Sequence, residues 1–125
     1  MRALSVAQPW AWAIIHGPKR IENRTWSTNY RGPLLIHASK SRQWLDSANE
    51  DELPGRPADG DFVYGAIIGV VELLDCVPVK QVAGQPFAEG PWCWVLGNPR
   101  AIESITYRGQ QNLFHVPDSL LPALF

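Results

Sequence analysis

Apolar residues recur along the chain in short runs that glycine, proline and polar turns separate. The first run, Leu4 to Ala7, has the length of a strand. The Gln8-Pro9 pair after it favours a helix start, because proline suits the first helical position. Apolar residues at helical spacing then share one face, and Gly17-Pro18 supplies a stop signal. The pattern predicts a strand and then a short helix from Pro9 to His16.

The next segments alternate between extended and helical patterns. If Lys19 to Trp26 is extended, Glu22 and Arg24 project to one side of it. The apolar run from Leu34 to His37 is typical of a buried strand. Apolar residues from Ser39 to Leu53 recur at helical spacing, so this segment is predicted to be a helix.

The second half of the chain reads as strands. Pro54 to Asp61 is a loop rich in proline, glycine and aspartate. Ala66 to Val79 is dense in β-branched residues and predicts a long central strand. Trp92 to Leu96 and Leu113 to Val116 predict two further strands. We therefore expect a mixed, β-rich fold.

Composition narrows the class of protein. A length of 125 residues fits one domain, 1-125, and 46% hydrophobic residues suffice for one core. No apolar run approaches the ~20 residues that span a bilayer, and the start of the chain lacks a signal-peptide pattern. We expect a cytoplasmic protein without a membrane partner. Cys76 and Cys93 lack metal-ligand spacing and are expected to be buried free thiols.

The charges are segregated along the chain although the net charge is −1. Up to Gln43 the only acid is Glu22, whereas from Trp44 to Asp61 six acids accompany only Arg56. Such a distribution can guide an anionic ligand to one face. The alternative is two ordinary solvated surfaces. The basic residues of the first part are Arg2, Lys19, Arg20, Arg24, Arg31, Lys40 and Arg42.

The segment from Gly17 to Trp26 has the highest density of charged and aromatic side chains that could contact a ligand. Arg24 can clamp a phosphate or a base edge, Glu22 can accept from an exocyclic amine, and Trp26 can stack on a base. The alternative is a surface strand in which Glu22 pairs with Arg24. The sequence contains no common hydrolase or metal motif, and we predict no metal and no cofactor.

An ordered series of motifs resembles the ASCH domain, named for activating signal cointegrator homology. The motifs are Gln8-Pro9-Trp10-Ala11, Gly17-x-Lys19-x-x-Glu22-x-Arg24, Tyr30-Arg31-Gly32-Pro33, Ile36-His37-Ala38-Ser39, Gly65-Ala66-Ile67-Ile68-Gly69, Gly90-Pro91-Trp92-Cys93-Trp94 and Asn98-Pro99-Arg100. The resemblance implies a PUA-like small β-barrel with flanking short helices, and RNA or a modified nucleoside as the partner.

The resemblance also implies a site and two kinds of function. As a binding module, the domain holds an unpaired or modified base in a basic cleft. The ligand-binding candidates are Gln8, Pro9, Trp10, Arg24, Trp26, Arg31, His37 and Ser39. As an enzyme, it is an amidohydrolase of N4-acylated cytidine or a ribonuclease, with Lys19, Glu22 and Glu89 as the catalytic candidates. Similar amidohydrolases have a threonine where this chain has Glu22, so binding is the first interpretation.

Overall fold

The computed structural model describes residues 1–122 and contains six strands and one α-helix. The predicted domain therefore lies within it except for residues 123–125, which are outside the described residues. The elements are β1 (Arg2–Val6), α1 (Trp10–Ile15), β2 (Ile21–Arg24), β3 (Gly32–Ala38), β4 (Ala66–Pro78), β5 (Trp92–Thr106) and β6 (Phe114–His115). No helix in this described part is long and apolar enough to cross a membrane.

All six strands belong to one sheet in the order β2-β5-β4-β3-β1-β6. β1 and β3 are parallel, and the other neighbouring strands are antiparallel. Within residues 1–122, β2 and β6 are the two edges, so the sheet is open and the predicted barrel is not confirmed. The physical reason lies in the length of β6, whose two residues are too few to pair along an opposing edge.

The two faces of the sheet contribute to two separate cores, because alternate residues of each strand point to opposite sides. The helix α1 packs on one face against a core that includes Leu4, Ile36 and Trp94. The other face carries Leu35, Ile67, Val70 and Phe114 in a second core. Leu35 and Ile36 are neighbours in β3, and they enter different cores as the alternation requires.

The predicted helix from Ser39 to Leu53 is wrong, because only a short 3-10 turn at Leu45–Ser47 forms there. Side chains take the hydrogen bonds that a helix would use. The Asn49 Oδ1 atom accepts from two backbone amides, and the Arg56 guanidinium donates to the carbonyls of Leu45 and Ala48. Such local side-chain bonds compete with helix formation.

The other elements follow the predictions with shifted ends. The short helix and the long central strand are confirmed as α1 and β4. β5 continues ten residues beyond Leu96, past Pro99. The pairing with β4 is irregular there, since Val70 is opposite Arg100 while Glu72 is opposite Gly97. A bulge tolerates the missing N–H of proline, so the strand does not end at Pro99.

Candidate functional site

A chain of three charges begins just before β2. Lys19 Nζ lies 3.6 Å from Glu22 Oε1, and Arg24 Nη2 lies 2.9 Å from Glu22 Oε2. Glu22 and Arg24 project to the same side of β2, as the alternation predicts. Lys19 is 3% exposed and Glu22 is 8% exposed, so the first pair is withdrawn from water. Each charge needs its neighbour because an unpaired buried ion is costly.

The Lys19 ammonium is held in an aromatic corner. It lies 5.2 Å from the ring centre of Trp10 and 5.3 Å from that of Phe87, and it donates to the carbonyl of Ile21. Burial lowers the pKa of Lys19, and Glu22 opposes that effect. The ammonium is thus satisfied on several sides and packs beneath the surface.

Arg24 joins the two sides of the open sheet. Its Nη2 atom donates to the backbone carbonyl of Ser5 in β1 at 2.7 Å. The carbonyl of Val6 accepts from Ser39 on the β3 side. Neighbouring carbonyls of a strand point in opposite directions, so the Ser5 carbonyl faces the β6 side of β1, beyond the pairing of β6 with Arg2 and Ala3. The Arg24 guanidinium therefore supplies the hydrogen bond that a neighbouring strand would give to the Ser5 carbonyl.

A cavity of about 820 Å³ opens on the face of β1 and β3 opposite α1. Its floor is formed by Ser5, His37 and Ser39, and Lys40 stands at one side. Residues 107–111 form the opposite wall. The volume lies in the range of small-molecule sites, roughly 300 to 1,000 Å³.

A second cavity of about 340 Å³ adjoins the first. It is lined by Arg24 and Trp26 and shares Ser5, Gln110 and Gln111 with the larger cavity. We call residues 107–112 the strap, because this segment borders both cavities. Two of the predicted ligand-binding residues therefore line each cavity, namely His37 and Ser39 in one and Arg24 and Trp26 in the other.

His37 fastens the strap to the cavity floor. Its Nε2 atom lies 2.7 Å from the carbonyl oxygen of Tyr107, and its Nδ1 atom lies 2.9 Å from Ser5 Oγ. A carbonyl only accepts, so Nε2 carries the proton and donates to Tyr107. Burial lowers the pKa of His37 and favours the neutral ring, although the Tyr107 bond opposes that shift. Nδ1 is then the acceptor, and the Ser5 hydroxyl donates to it.

Gly109 allows the strap to approach this floor closely. A Cβ atom at that position would lie 2.7 Å from His37 Cε1 and 3.0 Å from Ser5 Oγ. Both distances are shorter than ordinary van der Waals contact, so any larger residue displaces the strap or the histidine.

Several predicted site residues lie away from the two cavities. Gln8 is 1% exposed and its amide is used within the fold, since Nε2 donates to the Val63 carbonyl and Oε1 accepts from Trp12. Pro9 is buried beside it. The exposed Arg31 pairs with Asp75 at 3.2 Å.

Glu89 lies on the Lys19 side of the molecule. It is exposed, and its backbone amide donates to the side-chain oxygen of Asn23. Glu89 acts on the Lys19 pKa only as a smaller influence than Glu22. The structure therefore brings Lys19, Glu22 and Arg24 into one chain of charges, with Trp10 against it, and leaves Glu89 at its margin.

The site residues predicted from the sequence do not include Ser5, Tyr107, Arg108 or the two strap glutamines. Ser5 lies in an apolar strand, and no motif marks it. The polar run Arg108-Gly109-Gln110-Gln111-Asn112 between two apolar segments is a loop signal, but it carries no chemistry that sets it apart from other loops. Of the basic residues grouped by sequence, Arg24 and Lys40 reach the cavities.

Comparison with known structures shows the fold. The ASCH protein from Zymomonas mobilis matches with a TM-score of 0.63 and 15% identity, covering 95% of this chain and 89% of that chain. A point mutant of the same protein matches with a TM-score of 0.62 and 15% identity, covering 95% and 91%.

Comparison with curated protein sequences finds relatives of higher identity. Human activating signal cointegrator 1 is 32% identical over 109 residues, which cover 78% of this chain and 19% of that protein. The mouse protein of the same name is 36% identical over 89 residues, covering 66% and 15%. The chain thus spans less than a fifth of these curated relatives. The model of the ASCH domain matches residues 4–113, and this chain belongs to the ASCH domain family.

Proposed function

We propose that this ASCH domain binds RNA and holds one unpaired or modified base between the strap and the sheet. The family is associated with RNA binding, and the observation that supports a site here is the pair of adjoining cavities. Basic side chains line both, since Arg24 borders the smaller cavity and Lys40 and Arg108 border the larger one. Phosphate contacts from a few such residues suffice for a short RNA footprint.

The smaller cavity supplies an aromatic surface for a base. Trp26 lines it, and the Trp26 ring is itself held edge-on by Trp94 at a centroid distance of 4.8 Å. A ring held in place offers stacking at little entropic cost, and base stacking on aromatic residues is worth about 1 to 3 kcal/mol. The strap glutamines Gln110 and Gln111 offer amide donors and acceptors to a base edge.

Amidohydrolysis by Lys19 and Glu22 receives less support from the geometry. Both carboxylate oxygens of Glu22 already contact cations, and the Lys19 ammonium is enclosed by Trp10 and Phe87. A general base needs a free lone pair facing its substrate. Incubation with N4-acetylcytidine and detection of cytidine by mass tests the point directly, and turnover that Lys19→Ala abolishes would favour the enzyme over the binding module.

The binding proposal is tested with short fluorescent single-stranded RNA. We expect Lys40→Ala and Arg108→Ala each to weaken binding by about 1 to 3 kcal/mol, because a charge-assisted contact is lost. Each variant should also lower the slope of log affinity against log salt by roughly one. The matched control is Lys80→Ala, an exposed lysine after β4 that lines neither cavity. Equal losses in all three variants, or no binding, would contradict the proposed site.

A further inference from the structure

We propose that Ser5 is a nucleophile that His37 activates, and that the domain hydrolyses acyl esters in the larger cavity. The inferred activity uses residues other than Lys19 and Glu22. The geometry of the reactive pair does not depend on RNA binding. Only the identity of the carrier of the acyl group rests on the proposed function.

The hydrogen bonds around His37 have the direction that nucleophilic catalysis needs. Ser5 Oγ lies 2.9 Å from Nδ1, within reach for proton transfer, while Tyr107 accepts from Nε2 at 2.7 Å. A serine hydroxyl, a histidine base and a third group that orients the base define the arrangement by role rather than by sequence order. Here the orienting group is a backbone carbonyl, which also stabilises the imidazolium that forms when Nδ1 takes the proton.

A local irregularity of the sheet sets the position of His37. Ile36 pairs with Gly69 of β4 and His37 pairs with Ile67, so the register skips one residue of β4 between them. Bulges re-aim side chains and occur often beside active sites. Ser5 and His37 are paired residues of the parallel strands β1 and β3, which brings their side chains to the same face.

A ligand reaches the pair through Ser5, because His37 is only 2% exposed. Ser5 is partly exposed and lines both cavities, and His37 lines the larger one. The cations that border the larger cavity are Lys40 and Arg108. The substrate class that fits is a carboxylic ester on a phosphate-bearing molecule. With RNA as the ligand, this means an acyl group on a ribose hydroxyl.

The chemical step proceeds through an acyl-enzyme. Ser5 Oγ attacks the ester carbonyl carbon, its proton moves to His37 Nδ1, and the bond from carbon to the leaving oxygen breaks as that oxygen takes the proton. Water then attacks the acyl carbon, gives its proton to Nδ1, and releases the acid while Ser5 Oγ regains the proton. Of the described residues, Lys40 and Arg108 are the cations that line the larger cavity, and they supply the positive charge near the acyl oxygen.

A fluorophosphonate probe tests the nucleophile. Ser5 Oγ bonds to phosphorus, fluoride leaves, and the proton passes through His37 to solvent. We expect one label per chain on the peptide that contains Ser5 and none in Ser5→Ala. His37→Gln should slow labelling by about 100-fold or more, because a general base contributes at least that much. Ser104→Ala, at an exposed position of β5, should label at the unchanged rate.

A pH profile keeps the test decisive if His37→Gln does not fold. The other ionisable side chains lining the larger cavity belong to Lys40, Tyr107 and Arg108, residue types that do not change charge between pH 5 and 8. The labelling rate of the unchanged protein should fall as acid protonates His37. A rate independent of pH, labelling that persists in Ser5→Ala, or no labelling of the folded chain would overturn the inference.

The same preparation separates this inference from RNA binding. Binding of the fluorescent RNA is measured before the probe is added. RNA binding without labelling of Ser5 overturns the nucleophile alone. Labelling of Ser5 without RNA binding overturns the proposed function alone and leaves the esterase, whose carrier molecule is then not RNA. Release of p-nitrophenol from p-nitrophenyl acetate, lost in Ser5→Ala, is the expected sign of turnover.

Discussion

The three linked charges of Lys19, Glu22 and Arg24, which we call the β2 ion-pair group, and the floor of the larger cavity both contain buried polar groups. The two regions are assembled differently. Lys19, Glu22 and Arg24 lie within six residues of one another. Ser5 and His37 are 32 residues apart, and His37 and Tyr107 are 70 residues apart. The first group follows from the spacing along one extended segment. The second group forms only after three distant segments have packed.

The two regions also differ in what their polar groups are left to do. In the β2 ion-pair group every charge contacts an opposite charge, and the Lys19 ammonium packs against the rings of Trp10 and Phe87. On the cavity floor the Ser5 hydroxyl borders space that a ligand can enter. We infer that Lys19, Glu22 and Arg24 mainly stabilise the fold, whereas the chemistry proposed above lies on the cavity floor. Four experiments test this contrast.

The largest expected effect comes from Glu22→Gln. The change leaves the Lys19 ammonium buried without its carboxylate, and breaking one side of a buried ion pair costs about 3 to 5 kcal/mol. Urea unfolding measures the loss of unfolding free energy. The control is Glu103→Gln on β5, which is exposed and should stay within about 0.5 kcal/mol of the unchanged protein. Equal effects of the two changes would show that Glu22 is not a structural ion.

Gly109→Ala should destabilise the strap by about 1 to 3 kcal/mol, since its methyl group collides with His37 and Ser5. RNA affinity and the rate of Ser5 labelling should fall together with the stability of the strap. The ion pairs of Lys19, Glu22 and Arg24 should stay unchanged. Gly60→Ala is the matched control, because nothing lies within 4 Å of a Cβ there. Calorimetric melting of both variants measures the difference. A Gly109→Ala protein as stable as the control would mean that the strap is already displaced in solution.

The third effect is the pH dependence of stability through His37. Burial lowers the folded pKa of His37 below its ordinary value of 6.5, so the unfolded chain binds the proton more tightly. The stabilisation is complete above pH 6.5 and is lost as the pH falls from there through the folded pKa. The slope from one such group is at most about 1.4 kcal/mol per pH unit. Subtracting the urea-unfolding profile of His37→Gln isolates it, and identical profiles would contradict it.

The smallest effect is expected for Arg31→Gln. Arg31 and Asp75 form an ion pair at 3.2 Å, but their side chains are 40% and 56% exposed. Exposed pairs contribute about 0 to 1 kcal/mol and weaken in salt. Urea unfolding with and without added sodium chloride should therefore show little change against Glu22→Gln. A loss as large as that of Glu22→Gln would mean that charge alone, rather than burial, governs these ion pairs.

The sequence by itself determined the elements whose signals are local. Apolar periodicity and the Gly17-Pro18 stop define α1, β-branched density defines β4, and alternation along β2 places Glu22 beside Arg24. These features depend on neighbours a few residues away, so the pattern in one segment contains most of the information. The ordered motifs likewise identified the family, and with it the expectation of RNA as a ligand.

The tertiary structure alone decided the rest. Side chains such as Asn49 and Arg56 took the hydrogen bonds of the segment predicted as a helix, and a two-residue β6 left the sheet open. The meeting of Ser5 with His37 depends on the parallel pairing of β1 with β3 and on a one-residue bulge. No periodicity within a segment encodes a register between distant strands, because that register is set by how both faces of the sheet pack.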